Sequence, residues 1–123
     1  MLELLRELAH FKVTVVITTD HGTTLVQDPI KVVGDRMTTT NLRYKQGKNL
    51  NYNPKEVFEI VRSEDVHLPR TNVSTRYIFA TGSDFFAYPN NYNHYVKYYR
   101  NTFQHGGISL EEMIIPLIVL QPK

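Results

Sequence analysis

The chain has 123 residues, of which 41% are hydrophobic and 21% charged, and its formal net charge is only +2. These values indicate one globular domain and exclude both a disordered chain and a protein that binds nucleic acid through bulk charge. The sequence has no cysteine, which excludes disulfides and thiolate metal sites and is compatible with the reducing cytoplasm, where we expect the protein. No apolar run approaches the roughly 20 residues that span a bilayer, so no membrane partner is expected.

The chain is predicted to begin with a helix followed by a strand. Leucines recur at helical spacing in residues 1–10, and residues 12–18 are rich in Val and Ile. Such a strand favours a parallel sheet that is covered on both faces. Because the helix has no capping residue in front of it, the pattern resembles the second half of an αβ unit. We therefore expect a C-terminal portion of a larger domain, whose upstream half is absent.

Two hairpins are predicted further along the chain. Strands near residues 25–27 and 31–33 flank a turn at Asp28-Pro29. The β-prone runs 75–80 and 84–88 flank Thr81-Gly82-Ser83, which favours a second, antiparallel hairpin.

Between the hairpins, the polar residues 38–50 are predicted to form a loop. Asn53-Pro54 has the form of a helix start, with Asn53 as the cap and proline at the first helical position. Residues 57–61 would then supply the buried stripe of that helix.

The last part of the chain combines aromatic and capping signals. Aromatic residues at spacings of three and four predict a helix over residues 92–103. Ser109 and Glu112 form a capping box that predicts a short helix. Residues 114–120 are predicted to be a closing strand, and Pro116 places that strand at an edge or a bulge.

Two histidine-glycine steps stand near opposite ends of the chain. Asp20-His21-Gly22 follows the first predicted strand, at the kind of position where α/β sheets hold their ligands, and His105-Gly106-Gly107 precedes the capping box. Carboxylate and imidazole groups suit zinc or manganese, and glycine lets the backbone pass close to an ion. The alternative interpretations are a solvated loop junction at Asp20-His21 and a hydrogen-bonded structural imidazole at His105.

A cluster of positive charge lies between Lys31 and Lys48, with five basic residues and one acid. Arg36, Arg43 and Lys45 could bind the phosphate of an anionic substrate, or the cluster could be a solvated loop face.

Taken together, these motifs resemble a known family. Asp20-His21-Gly22, the stretch 34–45 and the run His105-Gly106-Gly107-Ile108-Ser109 are similar to the C-terminal part of a PglZ domain, as found at the end of PorX-type two-component response regulators. That family belongs to the alkaline phosphatase superfamily. The resemblance implies an α/β fold, with a partial alkaline-phosphatase-like sheet, flanking helices and β-hairpins over residues 1–123.

The resemblance also implies a chemistry. The superfamily site holds two divalent metals, usually zinc, beside a Thr or Ser nucleophile that attacks phosphate esters. Carried over by motif, Asp20 and His21 would bind one metal and His105 the other. No catalytic residue is expected in this chain, because the nucleophile lies on an earlier segment of such domains, so we expect the fragment alone to be inactive.

Two functions from different classes follow as expectations. In the first, the complete protein is a zinc-dependent phosphodiesterase or phosphomonoesterase acting on phosphate esters, including oligonucleotides. In the second, the chain is a non-catalytic interaction or output module whose metal is structural. Its expected partners include the upstream part of the same protein and, through exposed strand edges, further copies of itself.

Overall fold

The computed structural model describes residues 1–122 and confirms the predicted mixed α/β class. The helices are α1 (Leu2–Leu8), α2 (Tyr92–Tyr99) and α3 (Leu110–Met113), with a 3-10 turn at Ser63–Val66. The strands are β1 (Val15–Thr18), β2 (Thr24–Val26), β3 (Asp28–Lys31), β4 (Tyr44–Gly47), β5 (Phe58–Ile60), β6 (Arg76–Phe79), β7 (Asp84–Ala87), β8 (Thr102–Gln104) and β9 (Leu117–Leu120). Within the described range, no helix is long and apolar enough to cross a bilayer.

The core is built on the parallel pair of β3 and β7. Side chains alternate between the two faces of a strand, so the neighbours Phe85 and Phe86 of β7 enter different apolar clusters. Phe86 packs with Ile30 and Ile78, whereas Phe85 packs with Val26 under α2. Both phenylalanines are almost completely buried, so β7 is covered on both faces.

Two antiparallel pairs, β2 with β8 and β1 with β9, connect the early and late parts of the chain. The sequence predicts β1 in a parallel sheet with both faces covered. Its partner among the described residues is instead the antiparallel β9, and Val16 of β1 is 56% exposed. The Val and Ile content therefore predicted a strand correctly, but not its partner or its burial.

The two predicted hairpin pairings are wrong. The strand expected at residues 31–33 is also displaced, since β3 spans Asp28–Lys31. β3 begins at the residues expected to form the first turn, because Pro29 pairs opposite Phe85 of β7. Proline has no N–H to donate, but it is tolerated here at the edge of a two-stranded pair. In the second case, β6 lies between β4 and β5, whereas β7 pairs with β3.

The predicted helix after Asn53 is also absent from the described structure. The capping contact forms, since the Lys55 amide donates to Asn53 Oδ1 at 3.2 Å, but only a turn results. The following residues form β5, because pairing with β6 overrides the local signal. The predicted loop over 38–50 likewise contains β4, the other neighbour of β6.

Toward the C-terminus, the helix predicted over 92–103 ends earlier, at Tyr99. Asn101 takes a left-handed φ of 61° and donates its amide to Val26 O at 2.7 Å, which starts β8 beside β2. Asparagine adopts this conformation more readily than most residues. The short helix after Ser109 and its capping box are confirmed. The closing strand predicted over residues 114–120 is shorter, Leu117–Leu120, so Pro116 lies just ahead of it and not inside it.

Candidate metal centre

The two histidine-glycine steps meet at one end of the β2–β8 ladder. Thr24 is paired with Gln104, so His21 lies three residues before one strand and His105 directly follows the other. Antiparallel pairing therefore brings together residues that are far apart in the sequence.

The imidazole rings of His21 and His105 are stacked. Their centroids are 3.8 Å apart and their planes differ by 6°. His105 is exposed and the His21 side chain is 39% exposed, so the pair lies at the surface. A metal ion or another solute can therefore reach the two stacked rings.

A backbone contact fixes the tautomer of His21. Nδ1 lies 2.9 Å from Gly22 O, and a carbonyl oxygen can only accept, so Nδ1 must carry the hydrogen. In the neutral ring the lone pair is then on Nε2. Metal-binding histidines commonly use this arrangement, in which the second ring nitrogen donates to a carbonyl.

Asp20 lies beside the free nitrogen of His21. Asp20 Oδ1 is 3.7 Å from His21 Nε2, which is longer than a hydrogen bond. Two donors that each lie about 2.1 Å from one zinc ion can be at most about 4.2 Å apart, so this separation is compatible with a shared ion. The Asp20 side chain is 89% exposed.

One residue of α3, Glu112, binds the loops that carry both histidines. Its backbone carbonyl accepts from the Gly22 amide at 2.9 Å. Its carboxylate accepts from the Gly107 amide at 2.9 Å and from Ser109 Oγ at 2.8 Å. The capping box therefore does more than start a helix, because it also holds the turn after His105.

Arg43 completes this network from the other side. Arg43 Nη2 donates to Glu112 Oε2 at 2.8 Å and Nε donates to Oε1 at 3.0 Å, while Nη1 donates to the carbonyl of Asp84. Arg43 is 0% exposed. These contacts argue against the predicted role of Arg43 as a substrate contact and assign it to the interior.

The charge state of Glu112 follows from these contacts. Burial alone would raise the pKa of its carboxyl group, but the hydrogen bonds from Arg43, Gly107 and Ser109 and the charge of Arg43 outweigh burial and lower the pKa below its ordinary value. Glu112 is thus an anion in a site that is 4% exposed.

Glycine is required on both loops. A Cβ at position 22 would lie 1.9 Å from the backbone oxygen of Glu111. Gly106 has a φ of 101°, and a Cβ there would meet the Asn41 side chain at 2.9 Å. The close approach of α3 and of Asn41 therefore depends on the missing side chains.

The other two predicted substrate-binding residues, Arg36 and Lys45, line a common cavity of about 500 Å³. Tyr88, Asn91 and Tyr95 contribute to its wall. Lys45 Nζ donates to Thr39 O at 2.9 Å, and burial lowers its pKa to about 8. The lining combines these two basic residues with one carboxylate, Asp35, and with amide and aromatic groups, and the excess of basic residues suits an anionic ligand.

Sequence reasoning missed the link between Arg43 and Glu112. The Ser109–Glu112 spacing identified a helix cap, but nothing in the sequence pairs Glu112 with a residue 69 positions away. The dense glycines beside both histidines were the available signal, because they indicate close backbone approach without naming the partner.

The fit to a metal is partial. Among residues 1–122, no group of three or more His, Cys, Asp or Glu side chains is arranged to hold a metal ion. The donors present, two imidazoles with a nearby carboxylate, are nonetheless of the type that zinc prefers.

The structure is thus a mixed α/β fold with two histidines stacked at its surface. The family model of the BREX system PglZ alkaline phosphatase-like domain matches residues 1–120, and the chain belongs to this family. A search of curated proteins finds no significant match to the chain.

Proposed function

We propose that this chain provides part of the metal centre of a PglZ domain that hydrolyses phosphate esters. Asp20 and His21 would bind one zinc ion and His105 a second. The observation that carries the proposal is the stacking of His21 on His105 at 3.8 Å.

The orientation of the rings favours two ions over one. Parallel imidazoles present their nitrogens side by side, whereas ligands of a single ion converge on it. Phosphoesterase sites with two metals hold them about 3.5–4 Å apart, which is similar to the distance between these rings. When bound, such ions would polarise the phosphoryl group and stabilise the leaving oxygen.

The residues of this chain have distinct tasks in the proposed site. Gly22 O holds the proton of His21 on Nδ1, which leaves Nε2 beside Asp20. Arg36 and Lys45 would attract the anionic substrate, including an oligonucleotide, to their shared cavity. The nucleophile would come from another segment of the full protein, for which we propose a cytoplasmic response regulator of the PorX type.

Zinc titration tests the proposal. By isothermal calorimetry, we expect His21→Ala and His105→Ala each to weaken binding at its own zinc site at least tenfold, since each removes a donor from that site. His94→Ala is the control, because His94 is an exposed histidine on α2. Equal affinities in all four proteins would contradict the proposal.

Activity provides the second part of this test. We expect negligible hydrolysis of bis-(p-nitrophenyl) phosphate by this chain alone, and zinc-dependent hydrolysis by the full protein that His21→Ala abolishes. Turnover by the chain alone that His21→Ala removes would contradict our placement of the nucleophile.

A second candidate is a non-catalytic interaction module with a structural metal. The exposed apolar side chains of β9 favour it, because such surfaces mark association sites. Zinc binding without hydrolysis by the full protein would select this candidate.

A further inference from the structure

We propose that Glu112, held by Arg43, is the positioning residue that brings the two histidines of the proposed metal centre together. The inference rests on the proposed function for its metal, but its geometry can be tested without one. Glu112 touches neither imidazole in the contacts of residues 1–122 and would act through the two loops.

One residue, Glu112, reaches both histidine loops. The main-chain carbonyl of Glu112 accepts from the amide of Gly22, directly after His21. Its side chain accepts from the amide of Gly107, two residues after His105. A shift of Glu112 would therefore move one histidine loop relative to the other.

Glu112 is itself held in place by Arg43. The guanidinium of Arg43 binds both carboxylate oxygens, a bidentate geometry that defines orientation as well as distance. Arg43 is anchored in turn to the carbonyl of Asp84 on the central strand β7. The histidine pair is thereby connected to the core.

The space between the loop of His105 and the Arg43–Glu112 ion pair is filled. A Cβ on Gly107 would lie 2.5 Å from Glu112 Oε2 and 2.9 Å from Arg43 Nε. The loop of His105 therefore lies directly on the ion pair, with no room for a side chain. Mutation of residues that orient the ligands of a metal, without binding it themselves, typically lowers metal affinity 10- to 100-fold.

The main test uses Glu112→Gln in the full chain. Glutamine keeps the size of the side chain but cannot supply two anionic acceptors to Arg43. We expect the nuclear Overhauser effect between the ring protons of His21 and His105 to weaken or vanish in the metal-free protein. We also expect the zinc dissociation constant to rise about tenfold or more.

Two further variants keep the test valid if Glu112→Gln does not fold. Ser109→Ala removes one hydrogen bond to Glu112 Oε2, and Arg43→Lys removes the bidentate contact while keeping the charge. For each we expect the same two changes in the same direction, with the smaller change in Ser109→Ala. Ile78→Val, a core substitution outside the network, is the control for lost stability and is expected to leave both readouts unchanged.

The outcomes separate this inference from the proposed function. If the wild-type chain binds no zinc, the proposed function fails, while loss of the ring-to-ring effect in the variants still supports positioning by Glu112. If the folded variants retain both the effect and the wild-type zinc affinity, Glu112 is only a structural residue and the inference is overturned.

Discussion

At the scale of single residues, Lys45 shows how burial alters a charge. Its side chain is half-buried in the wall of the cavity, and one carbonyl, Thr39 O, accepts from its ammonium group. Loss of hydration lowers the pKa of Lys45 from 10.5 to about 8, because the charged form is solvated less well than in water. A lysine that charges and discharges near pH 8 can bind an anion below that pH and lose it above.

The sign of this shift gives a prediction for stability. Between pH 8 and 10.5 the unfolded chain holds the Lys45 proton more strongly than the folded chain, so this residue makes the free energy of unfolding rise with pH. We expect Lys45→Met to be more stable than wild type at pH 7 and this advantage to shrink toward pH 10.5. Urea denaturation at several pH values measures the difference, with Lys48→Met as an exposed control. An advantage that stays constant with pH would contradict the burial of this charge.

At the scale of elements, the pairing of α3 with the loop after β1 sets the geometry of the site. Gly22 lies against the main chain of Glu111 and Glu112, where a Cβ would come within 1.9 Å of a carbonyl oxygen. A backbone atom cannot rotate away as a side chain can, so a larger residue must separate the two elements.

We therefore expect Gly22→Ala to lower the free energy of unfolding by about 1–3 kcal/mol, the usual range for overpacking. Gly82→Ala is the matched control, because it adds the same methyl group at a φ of 49° with nothing within 4 Å. That control carries only backbone strain of about 1–2 kcal/mol. We expect Gly82→Ala to leave zinc binding unchanged and Gly22→Ala to weaken it. An unchanged free energy of unfolding in Gly22→Ala, measured by urea denaturation, together with unchanged zinc binding, would contradict the close packing described here.

The positions of strands and helices could be predicted from the sequence more readily than the pairing of the strands. Residues 15–18, 76–79 and 84–87 form strands within the predicted runs, and the Ser109–Glu112 spacing predicted α3. Patterns within a short stretch of sequence are enough to predict such elements. The partners depend on contacts between distant residues, which is why β3 joins β7 rather than its neighbour in sequence.

The candidate site shows the same contrast between local motifs and contacts between distant residues. The Asp-His-Gly and His-Gly-Gly motifs predict that Asp20, His21 and His105 lie close to one another. The sequence leaves Arg43 as either a substrate contact or a solvated loop residue, because an arginine in a basic loop carries no sign of burial. Only the fold supplies its carboxylate partner. Asn53-Pro54 illustrates the limit of local signals, since its capping contact forms without a helix.

At the scale of the whole molecule, the β1–β9 pair carries the most exposed apolar surface of the sheets. Leu117 is 71% exposed and Val119 is 51% exposed, and both lie on β9. A two-stranded ladder has open edges and is marginally stable by itself, so further cover of this surface is expected to stabilise it. We propose that a second copy of the chain provides this cover.

Light scattering at high protein concentration tests this association. We expect the chain to be dimeric or larger, and Leu117→Lys or Val119→Lys to shift it toward monomer, because a buried ammonium group is costly. Val73→Lys, at an 84% exposed valine in the loop before β6, should leave the mass unchanged. A wild-type monomer at high concentration would exclude self-association through β1 and β9.

The most direct measurement for the central claim is a crystal structure with zinc, with anomalous diffraction recorded on both sides of the zinc absorption edge. We expect anomalous density at coordination distance from His21 Nε2 and an Asp20 oxygen, and a second peak at His105. Zinc bound only at His10, His67 or His94, or His21 and His105 apart and without metal, would contradict it.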